Sequence, residues 1–423
     1  MSDPTATPGK GWRAGAAIFP LPVPAGTPLG GYAAREGPAT GTRDELTVGA
    51  LFLEQGGWRL AVLAADVVAV DGALAGEVAV IGGLAPGEVL IAASHTHSGP
   101  AGVIDRLHPA DPSRLDQPLR ARLAATAAAA IRDARASAEP AALAFGQAEV
   151  AGIAANRIDP GWPRDDRVSV LSAWREDGSP LAALVHFACH PTILPATSRV
   201  VSADYPGAMR SHLAASLATG GDPPVVLFAN GAAGDVSTRY TRRGQDAAEV
   251  ERVGMEVAMA AGDAIRASHS LGSGVGRAEE RVRLARRTLS SPNQPEPPDP
   301  AESAAASDRG AATRAQGAAM LAALAAAPAE AVPEAVVVGG WRLGELVLVA
   351  VPGELSASLG RAIVAARPGP TLVVGYANGY VGYLPDRAAH AAGSYEALAS
   401  PYEDGAGEAV AEAAAELAAQ LDR

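Results

Sequence analysis

The sequence predicts a mixed α/β (α+β) fold built as one large catalytic domain of mixed sheets, hairpins and flanking helices. Three observations carry that expectation. Short apolar runs (VLIAA before Ser94, VVLFAN before Gly231, LVLVAV before Pro352) have the length of buried strands and stop at Gly, Pro or polar residues. The pairs Gln55-Gly56-Gly57 and Asp177-Gly178 interrupt alternating stretches where hairpins turn. Alanine-rich stretches over 120–138 and 247–268 are long enough for helices between the strands.

Each element follows in order. Residues 1–12, rich in Pro, Thr and Gly, read as a disordered arm, with 13–423 as the domain. Residues 14–33 crowd Pro and Gly and read as an irregular, turn-rich segment. A hairpin over LTVGALFLEQGGWRLAVLAADVV follows, then a helical patch and the VLIAA strand. After the helix over 120–138 come the strand AALAFGQAEV and a strand pair about Asp177-Gly178. SADYPG opens a helix that contains His212, VVLFAN is a strand, and 247–268 is helical. Residues 290–309, rich in Pro, Ser and acids, read as a flexible excursion. A helix over 311–326, a hairpin around Gly339-Gly340, a helix over 355–366, a strand TLVVGYANGY and a final helix over 407–421 complete the chain.

Composition bounds the function. The 423 residues are 48% hydrophobic, enough for a large core. A net charge of −12 lacks the basic footprint that phosphate backbones require, so no nucleic-acid partner is expected. The single cysteine, Cys189, allows neither an internal disulfide nor a cysteine-based zinc site. No run reaches the roughly 20 apolar residues of a membrane span. The N-terminus shows no basic-then-apolar leader, which with the lone cysteine gives a cytoplasmic expectation. Oligomeric state is left open.

Chemistry-bearing residues gather where apolar runs end. His95 and His97 stand two apart after VLIAA, a spacing that puts both imidazoles on one face of an extended segment. His190 closes HFACHP, Arg157 follows Asn156, and Ser237 lies with Asp235 in the Gly-rich loop after VVLFAN. Glu354 follows Pro352-Gly353, and Tyr383 and Tyr395 lie in loops beyond. Imidazoles and a carboxylate suit zinc, whose catalytic sites keep one position open for water. The helix-borne H-E-x-x-H arrangement is absent. Every one of these residues also has a structural reading. Glu354 suits the positive end of a helix, Ser237 an N-cap, His190 a strand terminus, and the tyrosines loop packing.

Taken in order, ASHTHSGPAG, Asn156-Arg157, HFACHPTIL, VSADYPGAM, FANGAAGDVS, VPGEL and GYVGYLP followed by SYE resemble the N-terminal catalytic domain of the neutral/alkaline non-lysosomal ceramidases. The resemblance is to a short bacterial form without the C-terminal immunoglobulin-like domain. It implies a Zn2+ held by His95, His190, Glu354 and Tyr383. It implies His97 for proton transfer, Arg157 and Tyr395 for substrate and oxyanion, and Ser237 as the family's active-site serine. Whether Ser237 attacks or only hydrogen-bonds beside a zinc-bound hydroxide is open, with the hydroxide preferred. The implied activity is hydrolysis of a small-molecule N-acyl, ceramide-like carboxamide by metal-activated water, in lipid metabolism. Aromatic and long aliphatic residues to wall a lipid groove are sparse, so a zinc hydrolase of another small amide, ester or lactone stands as an alternative. A catalytically silent binding protein on the same scaffold is the other.

Overall fold

Strand alternation sorts the apolar residues into two cores. In the strand Thr47–Gln55, Val48, Ala50 and Phe52 face one core while Leu51 and Leu53 face the other. Trp58–Ala65 and Val89–Ala93 divide in the same way, which is why neither shows a polar face. The computed structural model describes residues 11–105, 107–108, 114–218, 222–287, 308–326 and 332–422.

These strands belong to a nine-stranded sheet. Its order is Val225–Asn230, Pro180–Phe187, Arg167–Arg175, Glu139–Glu149, Arg13–Pro20, Thr47–Gln55, Trp58–Ala65 and Val89–Ala93, with His269–Ser270 pairing onto Glu139–Glu149. Pairs inside the sheet are antiparallel, and the outermost pair at each end is parallel. A second sheet runs Val275–Arg283, Ala335–Leu343, Leu346–Ala350 and Thr371–Val374. The face of the large sheet that carries Leu51, Leu53, Leu60 and Leu184 packs on Trp341, Leu346, Leu348 and Leu372 of the second sheet.

Helices cover both outer faces. Helices α1 (Gly72–Gly82), α2 (Gln117–Ala136), α3 (Tyr205–Leu217) and α4 (Ala247–Arg266) lie on the large sheet. α5 (Asp308–Ala326) lies elsewhere, against α8 (Tyr395–Ala399), with α7 (Arg387–Ala391) also beside α8. α6 (Ala357–Ala365) and α9 (Ala406–Gln420) close the second sheet. The order of layers is therefore helix, sheet, sheet, helix. Helix starts follow the capping rule: Asp71, Asp116 and Asp246 each accept the backbone N–H three residues on, at 2.7, 2.9 and 3.0 Å. Two glycines let helices lie close. A Cβ on Gly15 would stand 2.0 Å from the Ala134 carbonyl of α2, and one on Gly146 would stand 1.9 Å from that of Ala264 in α4.

Several sequence readings are corrected here. Arg13–Pro20 is a strand, not an irregular segment: Thr47–Gln55 supplies a full ladder for a run whose own β-propensity is low. Trp12, assigned to the disordered arm, is buried and donates its indole N–H to Gly272 O at 3.0 Å. The hairpin near residue 340 turns at Gly344, where φ is +62°. Gly340 serves a different need, since a Cβ there would meet Leu417 of α9 at 2.0 Å. The strand after Pro370 stops at Val374, and Tyr376 and Asn378 take left-handed backbone conformations. Residues 1–10 and 290–307 lie outside the described residues, and 308–309 open α5.

A buried ion pair ties α3 to the large sheet. Arg210 makes two bonds to Asp66, at 2.9 and 2.6 Å, and Asp66 also accepts the Thr47 amide at 2.8 Å. Asp66→Ala leaves the guanidinium buried and unpaired, so a loss of about 3–5 kcal/mol is expected by urea denaturation. The double replacement Asp66→Ala/Arg210→Met should lose less; an equal or greater loss would mean that the pair is not the source of the effect.

Candidate metal centre and active site

The site assembles where the two sheets meet. Ala92 of the edge strand bridges Ala377, and the Ala93 amide donates to Tyr376 O at 3.1 Å. The Asn378 side chain seals the same edge, accepting from Ile91 N at 2.8 Å and donating to Val89 O at 2.9 Å. Loops leaving Val89–Ala93, Pro180–Phe187, Val225–Asn230, Leu346–Ala350 and Thr371–Val374 converge beyond this seam.

His95 takes φ +66°, a conformation that a side-chain-bearing residue adopts only when its surroundings enforce it. Its amide donates to Val67 O at 3.0 Å, and its ring stacks 4.0 Å from that of Tyr376, itself at φ +54°. The expected reason for the His95 and His97 pairing was strand alternation. Instead the strand ends at Ala93, and the left-handed His95 turns the chain. His190 is fixed by its amide to Val236 O at 3.0 Å and by a backbone bridge to Ser237. Glu354 and Tyr383 are register partners in a short parallel pair of strands, Glu354–Leu355 with Tyr383–Leu384.

Hydrogen bonds decide which imidazole nitrogens are free. His95 Nδ1 lies 2.7 Å from Val68 O, and His190 Nδ1 lies 2.6 Å from Ala233 O. A carbonyl only accepts, so both Nδ1 atoms carry the proton and both Nε2 atoms present lone pairs. Those lone pairs face Glu354 Oε2, at 3.5 Å from His95 and 3.1 Å from His190. Burial, with the nearby Arg157 charge, pushes His190 down to about 4, so it is neutral near pH 7. Three acceptors therefore point at one another. A cation resolves that arrangement, and two imidazoles, a carboxylate and a phenol form a donor set that zinc accepts.

His97 differs from its neighbours. Its Nε2 is 3.2 Å from His95 Nε2, and the nitrogens of His95, His97 and His190 lie within 4.8 Å of one another. Its Nδ1 is buried without a partner among the described residues, so no carbonyl fixes its tautomer. Burial first, then His95 and His190, keep it neutral. The ring is clasped by a loop that sequence reasoning passed over. Tyr32 packs edge-on at 4.7 Å, Arg35 Nη1 donates to His97 O at 2.7 Å, and a Cβ on Gly31 would meet His97 Cγ at 2.5 Å.

Arg157 links the remaining parts. It donates through Nε to Glu396 at 2.7 Å and through Nη2 to Gly234 O at 2.8 Å and Tyr383 Oη at 3.0 Å. Burial disfavours its charge, yet Tyr383, Glu396 and Glu354 together hold its pKa well above normal. Asp235 sets its backbone: the Asp235 carbonyl accepts Arg157 N at 2.7 Å. The Asp235 carboxyl, pushed up to about 7 by burial, accepts from Asn156 at 2.7 Å and Ala357 N at 2.8 Å. The Tyr395 ring lies 5.7 Å from that of Tyr383, its hydroxyl reaches Met320 Sδ at 3.0 Å, and burial raises its pKa to about 12. Ser237 Oγ accepts the Arg239 amide at 3.2 Å.

The eight residues singled out in the sequence are thus gathered in one region. Glu396, Tyr376 and Tyr380, whose hydroxyl donates to Glu354 Oε1, were not singled out. Only Glu396 carried a signal, as the neighbour of Tyr395. His186 and His212 stand apart, on Val373 O and Glu251, and Cys189 is buried with its thiol pKa raised by that burial.

A family model described as neutral/alkaline non-lysosomal ceramidase, N-terminal, matches residues 23–290, more than half of the chain. The chain belongs to that family of hydrolases. Two solved structures share the fold. One, titled a ceramidase complexed with C2, superposes at a TM-score of 0.78 with 19% identity, over 97% of this chain and 75% of the other. The second, neutral ceramidase from Pseudomonas aeruginosa, gives 0.76 and 20%, over 98% and 75%. No curated protein matches the sequence.

Metal analysis tests the donor set directly. Protein purified without chelator should hold about one equivalent of zinc, and His95→Ala and Glu354→Gln should each reduce that to near zero. Retention of full zinc by both variants would place the metal elsewhere.

Proposed function

We propose that this protein is a zinc-dependent amidohydrolase that cleaves an N-acyl carboxamide, ceramide-like or smaller. The observation that carries the reading is the pair of carbonyl-fixed imidazoles, His95 and His190, presenting lone pairs to Glu354 Oε2. Tyr383 completes the proposed ligand set from its place beside Glu354. Zinc held there would supply Lewis acidity, lowering the pKa of a water and drawing charge from a carbonyl.

The chain's own residues supply the rest. His97, neutral and held by no carbonyl, takes a proton and returns it to the departing nitrogen. Arg157, ordered by Glu396 and Gly234, and Tyr395, protonated at neutral pH, offer N–H and O–H to the carbonyl oxygen as it gains charge. The Met320 thioether is a weak acceptor, so the Tyr395 hydroxyl leaves it readily for an oxyanion. Ser237 is a positioning group in this scheme. Its Oγ holds the Arg239 amide, and its hydrogen bonds give it no base, which favours water as the nucleophile.

A different small amide, ester or lactone is the second reading, favoured by the exposed Arg239 and Tyr240 on the loop after Ser237, where a lipid groove would be apolar. Fluorescent ceramide assayed against a panel of short N-acyl amides separates the two. Turnover of the short amides without ceramide rejects the lipid substrate, and turnover of neither by zinc-loaded protein favours the silent binding protein. His97→Ala should keep zinc and lower kcat/KM by about 10²–10⁴-fold. Tyr395→Phe should lower it by about 10²-fold with KM little changed. Full activity in both variants would overturn the assignment of roles.

A further inference from the structure

We infer that the acyl amide taken by this site carries a carboxylate close to the scissile bond, and that Arg239 receives it. The inference rests on the amidohydrolase reading only for the word amide; the anion preference stands on Arg239 itself.

Arg239 is exposed, and among the described residues its guanidinium makes no hydrogen bond or ion pair. Most other arginines near the site are committed. Arg157 is held by Glu396, Arg35 by the carbonyls of His97, Gly30 and Ser198, and Arg242 donates to Thr192 O. The position of Arg239 is set by the site. Its amide is bound to Ser237 Oγ, and Ser237 is bridged to the backbone of His190. The next residue, Tyr240, brings its hydroxyl to 3.5 Å from Arg157 O. The charge of Arg239 is felt by Tyr395, and Arg157, Glu396 and Tyr32 act on Arg239.

Charge bookkeeping gives the direction. Glu396 is paired with Arg157 at 2.7 Å, so Arg239 feels that carboxylate only at a distance, together with the like charge of Arg157. That like charge works against its guanidinium, so an incoming anion offsets it and gains a charge-assisted bond. The protein as a whole carries −12, but salt screens distant charges within about 8 Å at physiological ionic strength, which leaves the local cation dominant. A neutral lipid amide would leave Arg239 unused. An N-acyl amino acid, with its carboxylate on the amine side, or a dicarboxylic acid monoamide, with it on the acyl side, would use it.

The test measures binding on zinc-loaded His97→Ala protein, in which turnover is slowed. N-hexanoylglycine and N-butylsuccinamic acid are titrated calorimetrically against their neutral counterparts, N-hexanoylglycinamide and N-butylsuccinamide. At least one acid should bind about tenfold or more tightly than its neutral counterpart. That ratio should fall to near one with Arg239→Ala, be partly kept with Arg239→Lys, and shrink as salt is raised. The acid that shows the larger ratio fixes the side of the amide that bears the charge. Equal binding of acid and neutral partners, no binding of any of the four, or a ratio unchanged by Arg239→Ala overturns the inference. Arg239-dependent binding of an acid that wild-type protein never hydrolyses upholds the anion site and overturns the hydrolase reading instead.

Discussion

Two short hydrogen bonds govern this molecule: His95 Nδ1 to Val68 O and His190 Nδ1 to Ala233 O. Each fixes a tautomer, and only that tautomer leaves Nε2 lone pairs aimed at the Glu354 carboxylate. Val68 follows a strand of the large sheet, and Ala233 sits in the Gly-rich loop at its opposite edge. The meeting of these three side chains therefore depends on the two ends of the sheet arriving at one place. The Asn230 side chain spans that closure, donating to Ser94 O at 3.4 Å and Cys189 O at 3.3 Å.

Backbone strain is concentrated at the same seam. His95, Tyr376 and Asn378 all hold positive φ, and each is pinned by a stack or by side-chain bonds across the two sheets. Conformations of this kind are disfavoured by about 1–3 kcal/mol each and persist where packing over-determines them. The four-layer arrangement supplies that packing, since both faces of the seam strand are buried in separate cores. Stability built by the layers is spent locally on aiming side chains.

Around these side chains runs a second set of contacts that distinguishes similar groups from one another. His97 lacks the carbonyl that holds each of its two neighbours, so its ring is fixed differently from theirs. Tyr383 and Tyr395 lie ring to ring, yet one hydroxyl is bound by Arg157 while, among the described residues, the other hydrogen-bonds only a thioether. Arg157 and Arg239 share one loop cluster, but among the described residues Glu396 forms its ion pair with the first. In each pair the environment, more than the residue type, assigns the role.

The strands, most helices and the residues of the site were legible in the chain, because burial on both faces leaves continuous apolar runs and the polar residues that end them stand out. His95, His97, Arg157, His190, Ser237, Glu354, Tyr383 and Tyr395 are all visible at such ends or in the loops beyond them. Local pattern misled where a partner overrode propensity, as in Arg13–Pro20, and where glycine made room for a helix and not a turn, as at Gly340. Glu396, Tyr376, Tyr380 and the Gly31–Tyr32 clasp carry no periodic signal, since their contacts join residues far apart in sequence. The sequence by itself determined which chemical groups are available and the strand ends at which most of them emerge. Tertiary structure alone decided which nitrogen carries a proton, which arginine is already paired and which tyrosine is free, because those are properties of neighbours brought together only when the two sheets close.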